Sequence, residues 1–346
     1  MQDGLIQVFK DMVSDYDIDG FRIDTVKHVN DEFWEAFGPE LQAHASGLGK
    51  DDFFMFGEVF SFDVPFLSRF STDLPLDAVL DFGFQGSARN FAGQSGPTDT
   101  LAGFYAADDY YTDVDSNATS LPLFLGNHDI GRTGLFMQQD NPGATDAELV
   151  ARSELAHALM YFGRGMPVVY YGDEQGFTGD GGDQDARQDM MPSQVASYND
   201  DDLIGTSATT ADANFDTAHP LYQTLAAYGG VLDAHPALTR GAQLHRYSEG
   251  SAGIYAFSRI ERTERVARAG LGYALMFTSR GMPVVYYGDE QGFVGDGGDQ
   301  DARQDMFPSL VDSYNDDDLI GTTATTADSN FDTTHPLYQT LNELAT

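Results

Sequence analysis

Residues 158–225 recur at 274–341, an offset of 274 − 158 = 116 with no gap. Ten of these 68 positions differ, so 58 are identical. Both copies carry Gly-Met-Pro-Val-Val-Tyr-Tyr-Gly-Asp-Glu-Gln-Gly-Phe, at Gly165–Phe177 and Gly281–Phe293, and both run on to His-Pro-Leu-Tyr-Gln-Thr-Leu. Solenoids stack several diverged units of about 20–50 residues. Two near-identical units separated by 48 unrelated residues do not fit that pattern. A partial duplication, or a splice of two related gene pieces, explains them. The repeat also shortens the useful chain, because 346 residues would otherwise suffice for one large domain or two ordinary ones.

The balance of 55 acidic to 18 basic residues gives a formal charge of −37, part of it counted twice through the repeated Asp-rich loop. That sign argues against nucleic acid and anionic membrane surfaces as partners. It suits a neutral polymer and an extracellular or periplasmic setting. Without cysteine there is no disulfide framework, thiolate metal site or cysteine nucleophile. No apolar run approaches the roughly 18 residues of a membrane span, and no signal peptide opens the chain. With 41% hydrophobic residues the chain can bury a real core.

Apolar spacing predicts a helix over 4–16 with Leu5, Phe9, Met12, Val13 and Tyr16 on one face. Strands are predicted at Ile18–Asp24, Phe53–Phe60, Ala78–Phe84, Leu121–Leu125 and Pro167–Tyr171, and a helix near 31–46. Trp34 falls on that helix's core face, and Phe60, Tyr170 and Tyr171 read as strand packing. A polar, Gly-rich connection is expected after 84. Thr145-Asp-Ala-Glu148 is a capping box opening a helix that stops at Gly163 or Gly165. Apolar strands alternating with amphipathic helices indicate a parallel sheet covered by helices. A hairpin is predicted from Gly241–Ser248 and Gly253–Ile260. The expected division is a partial barrel over 1–230, the start of a β domain over 231–262, and a duplicated barrel segment over 263–346.

Three carboxylates each follow a predicted buried strand: Asp24 in Gly20-Phe-Arg-Ile-Asp-Thr-Val-Lys-His28, Glu58 in Phe56-Gly-Glu-Val59, and Asp129 in Leu125-Gly-Asn-His-Asp129. Their separations, 58 − 24 = 34 and 129 − 58 = 71, are about one and two units of a (β/α)₈ barrel, which uses roughly 31 residues per unit. All three would then share the carboxyl-terminal rim. Paired carboxylates in a cleft suit glycoside hydrolysis, one ionised as nucleophile and one protonated as acid. Arg22, two residues before Asp24 on a strand, points the same way and favours its ionised form. The competing structural reading makes Arg22–Asp24 an ion pair, Glu58 a helix cap and Asp129 a loop residue.

These segments resemble three conserved regions of the α-amylase superfamily of retaining glycoside hydrolases: Gly20–His28 the second, Phe56–Val59 the third and Leu123–Asp129 the fourth. The resemblance covers residues 1–262, with 262–346 matching a second time. It implies an incomplete (β/α)₈ TIM barrel, α/β in class, with strands resembling the fourth to eighth and a duplicated last helix-strand-loop unit. It implies Asp24 as nucleophile, Glu58 as acid/base and Asp129 as the carboxylate that grips sugar hydroxyls. Arg22 and His128 would be their direct partners, Lys27 and His28 would line the aglycone side, and Asp185 and Arg187 a substrate-side loop. Tyr171-Gly-Asp-Glu174 resembles the end of the eighth strand, although Asp173 and Glu174 also read as strand-end caps. The implied substrate is an α-1,4-glucan. The implied cofactor is a structural calcium, with the backbone carbonyl of His28 among its ligands.

Three earlier strands and a calcium-binding loop domain of the family have no counterpart here, so weak or absent activity is expected. A glucosidase, a transglycosidase, an inactive glucan-binding remnant and an acidic calcium-binding structural protein stay open as alternatives. Asp113-Val-Asp-Ser-Asn117 begins like an EF-hand loop, but Ala118 replaces the required Gly and Phe124 the final Glu. The Gly- and Asp-rich stretch 179–189 reads as a solvated loop, and Asn117-Ala-Thr119 matches a glycosylation sequon.

Overall fold

In a computed structural model, the structure describes residues 2–113, 116–295, 302–315 and 317–345; part of the EF-hand-like stretch lies outside them. The chain runs through α1 (Gln2–Tyr16), β1 (Gly20–Ile23), α2 (Asp31–Gly47), β2 (Phe54–Gly57), α3 (Val64–Thr72), β3 (Ala78–Val79), α4 (Phe82–Ala88) and α5 (Asp99–Tyr105). It continues with β4 (Pro122–Leu123), α6 (Thr133–Asp140), α7 (Asp146–Phe162), β5 (Met166–Pro167), α8 (Pro220–Ala234) and α9 (Pro236–Arg240). Then follow β6 (Ala242–Tyr247), β7 (Ala256–Ile260), α10 (Arg262–Thr278) and α11 (Pro336–Ala345).

β1, β2 and β3 form a parallel sheet in that order, with Ile23 opposite Gly57 and Gly57 opposite Val79. β4 and β5 form a parallel pair, with Leu123 opposite Pro167. The Asp81 amide donates to Pro122 O at 3.0 Å, which continues the run from the end of β3 to β4. Within each sheet the strands run parallel, as β-α-β crossovers allow.

Helices cover the strands because their apolar stripes have nowhere else to go. On α1 the buried stripe is Ile6 and Val13 with Phe9 packed beside them, whereas Leu5, Met12 and Tyr16 are exposed. The expected face is therefore corrected: the 3,4 spacing from Ile6 to Val13 faces the sheet, and the neighbouring row faces solvent. On α2, Trp34, Phe37 and Leu41 are buried, and the Trp34 indole donates to Val26 O at 3.2 Å. A second cluster joins Phe84, Leu123, Leu125, Leu149, Leu159 and Ile204.

Three expected elements differ. The strand predicted over 78–84 ends at Val79, because the Asp81 carboxylate accepts the Phe84 amide at 2.8 Å and starts α4. The polar connection after it holds α4 and α5. β5 spans Met166–Pro167 rather than running to Tyr171, and Arg132 instead meets the rings of Tyr170 and Tyr171. α3 went unpredicted, though Asp63 caps it at Phe66 N with Pro65 in the first turn.

The chain divides into two compact units, one of residues up to Thr239 with His245–Phe257, the other of Arg240–Leu244 with Ser258–Thr346. In the second, α10 packs on α11, and the Tyr273 hydroxyl donates to Asp289 O at 3.4 Å. Here the aligned segment Met282–Tyr287 forms no strand, and Met282, Val284 and Tyr286 are exposed. β6 and β7 form a two-stranded sheet within the predicted hairpin.

Candidate active site

Parallel pairing sets the register at the carboxyl ends of the strands. Ile23 and Gly57 lie opposite each other, so Asp24 and Glu58 are the first residues beyond β1 and β2 at the same edge. The Glu58 amide donates to Ile23 O at 2.7 Å and the Val26 amide to Glu58 O at 3.1 Å, which locks the two strand ends together. Between them Thr25 adopts a left-handed conformation, φ 53°, uncommon for a β-branched residue. That turn aims its amide at the Glu58 side chain, donating to Oε2 at 2.9 Å. Glu58 is 9% exposed and Asp24 far more open.

Arg22 Nη1 donates to Asp24 Oδ1 at 2.7 Å, as two residues on one face of a strand should. Lys27 Nζ reaches Phe60 O at 2.6 Å and lies 5.5 Å from the Phe60 ring centre. His28 ends the short helical turn Val26–His28 and is exposed. Among the described residues the one group of three acidic or histidine side chains within ligating reach of one another is Asp180, Asp200 and Asp201, and it does not include His28. Calcium takes six to eight oxygens. No cluster of side chains joins the His28 carbonyl to make such a shell, so the residues present do not fit a calcium there.

Asp129 follows β4. Asn127 Oδ1 accepts the amides of Asp129 and Ile130, each at 2.9 Å, and Asn127 pairs with Gly131 to close the loop. His128 Nε2 lies 3.3 Å from Asp129 Oδ2, and Arg187 Nη2 lies 3.7 Å from Asp129 Oδ1 and 2.9 Å from Asp183 Oδ1. The sequence-derived residues thus form two groups, each at the carboxyl ends of its own parallel strands. Arg22, Asp24, Lys27, His28 and Glu58 gather at β1 and β2; His128, Asp129 and Arg187 gather at β4. No hydrogen bond or ion pair among the described residues joins the groups. Asp185 is exposed, and its carbonyl accepts from Asp180 N and Gln188 Nε2.

Two supports were not foreseen. Arg132, fully buried, donates to Gln188 Oε1 at 2.8 Å and Tyr171 O at 2.6 Å, tying the Asp129 loop to the loop after β5. Asp173 is buried against Thr133 Oγ1 at 2.8 Å. Desolvation pushes its carboxyl up to about 7. Burial also pushes Asp201 up to about 6, helped by the charges of Asp180 and Asp200. Two surface clefts, of about 370 and 340 Å³, have Gln138, Asp146, Leu149 and Ile204 in the lining of one and Phe91, Arg152 and Gly253 in that of the other; neither contains Asp24, Glu58 or Asp129. The rim is open.

Parallel β-α units with acidic residues along one carboxyl-terminal strand edge define a protein of the TIM-barrel class. The family model for the α-amylase catalytic domain matches residues 1–239. The chain belongs to that family. It is 49% identical to an α-amylase of Streptomyces lividans over 278 residues, 80% of this chain and 30% of that one. To a β/α-amylase of Paenibacillus polymyxa it is 29% identical over 250 residues, 72% of this chain and 17% of the relative. The crystal structure of an α-amylase from Geobacillus thermoleovorans complexed with acarbose superposes with a TM-score of 0.58 at 26% identity, covering 75% of this chain and 49% of that one. The chain therefore spans less than a third of the length of these curated relatives. No described helix is long and apolar enough to cross a membrane.

Proposed function

We propose that the chain carries a retaining hydrolase site for α-1,4-linked, starch-like glucans. The observation that carries this reading is the register Ile23–Gly57, which puts Asp24 and Glu58 side by side at one strand edge, with Arg22 held on Asp24 at 2.7 Å. Asp24 acts as nucleophile, held in place by the Arg22 guanidinium. Glu58 protonates the glycosidic oxygen and then activates water, and the Thr25 amide positions its carboxyl. Asp129, with His128 beside it, grips hydroxyls of the sugar undergoing reaction. Lys27 and His28 line the aglycone side, and Arg187 and Asp185 belong to the loop that closes the far side. β1 to β5 take the places of the family's fourth to eighth strands, with 1–230 as the barrel part, 231–262 as the start of a β domain and 263–346 as the duplicated segment. An extracellular or periplasmic setting agrees with the acidic, cysteine-free sequence.

The experiment is hydrolysis of soluble starch by the chain and by Asp24→Asn and Glu58→Gln. Each variant should lose activity by about 10²-fold or more, with the α-anomer as first product by NMR. Short-oligosaccharide or transfer products would instead place the chain among glucosidases or transglycosidases. Starch binding without hydrolysis in the unaltered chain, or activity unchanged in Asp24→Asn, defeats the catalytic assignment.

A further inference from the structure

The loop between β5 and α8 holds an acidic centre that shares no residue with the strand-end rim. Asp180, Asp200 and Asp201 each bring one carboxylate oxygen within 4.8 Å of the others. Asp180 and Asp200 face solvent, but Asp201 is 6% exposed, and its Oδ2 is buried with no hydrogen-bond partner. Its backbone is pinned: the Asp201 amide donates to Thr210 Oγ1 at 3.1 Å, and Asp201 O accepts the Thr210 amide at 3.0 Å. A buried carboxylate oxygen with no donor, facing two further negative charges, calls for a cation.

The repeat supplies an internal contrast. In the second copy the aligned Asp317 Oδ2 accepts from Gln304 Nε2 at 2.8 Å. In the first, the Gln188 amide is shared: Nε2 donates to Asp185 O at 2.8 Å and also bears on the Asp201 carboxylate, while Oε1 accepts from Arg132 Nε at 2.8 Å. Arg132 lies outside the repeated stretch. The carboxylate oxygen that Gln304 satisfies in the second copy, Oδ2, has no donor in the first.

We propose that Asp180, Asp200 and Asp201 bind a calcium ion that fastens the loop after β5. Calcium takes six to eight oxygens at about 2.3–2.6 Å in flexible geometry and accommodates three carboxylate oxygens within 4.8 Å of one another, whereas magnesium demands a near-ideal octahedron at about 2.0–2.1 Å. Waters on the solvent side, where Asp180 and Asp200 are exposed, complete the shell. The site stands independently of the hydrolase reading.

The test titrates calcium and magnesium into the chelator-treated full chain by calorimetry, with thermal melting in parallel. One saturable calcium site that raises Tm and prefers calcium to magnesium is expected. Asp180→Asn and Asp200→Asn, both at exposed positions that the fold tolerates, should each weaken calcium binding by about tenfold or more and remove most of the Tm rise. Asp317→Asn should leave calcium affinity unchanged. No calcium binding by the unaltered chain overturns the proposal, and so does unchanged affinity in both Asp180→Asn and Asp200→Asn, since that would put the ion elsewhere.

Discussion

His157 and Asp173 sit inside the first unit with Nε2 and Oδ2 3.9 Å apart and both side chains buried. Desolvation pulls His157 down to about 4 and pushes Asp173 up to about 7. These shifts act on stability with opposite signs. His157 is depressed, so its contribution is present above about 6.5 and lost as pH falls toward about 4. Asp173 is raised, so its contribution is present in acid and lost as pH rises through about 7. Between about 4 and 6.5 the two slopes cancel. His157→Gln removes one of them, so the variant should gain stability relative to the unaltered chain as pH falls from 7 to 4.5, by up to about 1.4 kcal/mol per pH unit. Urea unfolding at pH 7 and 4.5 measures this, and parallel pH profiles would refute it. Arg164 offers a second contrast at this scale. It pairs with Asp81 at 2.6 Å and Asp108 at 2.7 Å while buried, whereas the aligned Arg280 is exposed. Arg164→Met should cost about 3–5 kcal/mol, because it strands the buried Asp81 carboxylate and the half-buried Asp108 beside it. Arg280→Met should stay within about 0.5 kcal/mol in the same unfolding measurement.

At the scale of the element, α7 shows what local sequence controls. Thr145 Oγ1 accepts the Glu148 amide, and the helix runs Asp146–Phe162 as the capping box and Gly163 imply. Glu148 itself turns to Arg152 rather than back to the cap, at 3.0 Å. Thr145→Ala should therefore cost about 1 kcal/mol, and Glu148→Ala only about 0.3–0.5 kcal/mol; chemical denaturation of the two variants checks the order. The repeat separates local from tertiary control in the same way. Both copies keep the bonds that stay within the loop: Gln175 to Asp216 O and Gln291 to Asp332 O, each 3.2 Å, and His219 to Ile204 O at 2.9 Å against His335 to Ile320 O at 2.8 Å. The strand differs, because β5 needs β4 beside it and Met282–Tyr287 has no such partner. The strand-end positions of Asp24, Glu58 and Asp129 were legible, each marked by the apolar strand before it. Thr25 and Arg132 were not: their importance lies in a positive φ and in contacts with residues far along the chain. The strand over-read at 78–84 failed on one side chain, Asp81, whose capping bond outweighs an apolar run.

For the whole molecule, the two compact units place two near-copies of one segment under different conditions. In the first unit, the segment is held by Met166 N on Leu121 O at 2.9 Å, Val168 N on Leu123 O at 2.8 Å, Arg164 on its acids and Arg132 on Tyr171 O. Every residue that makes these contacts from the segment side recurs at 280–287. A chain that spells one docking segment twice gives its fourth strand two matched candidates during folding, so the search is degenerate and a wrong pairing is a deep competing minimum. Arg280→Met, silent at equilibrium, should then raise the yield and reduce the slow phases on refolding from urea; identical refolding traces would exclude the competition. The duplication thus shapes the route to the native state more than the native state itself.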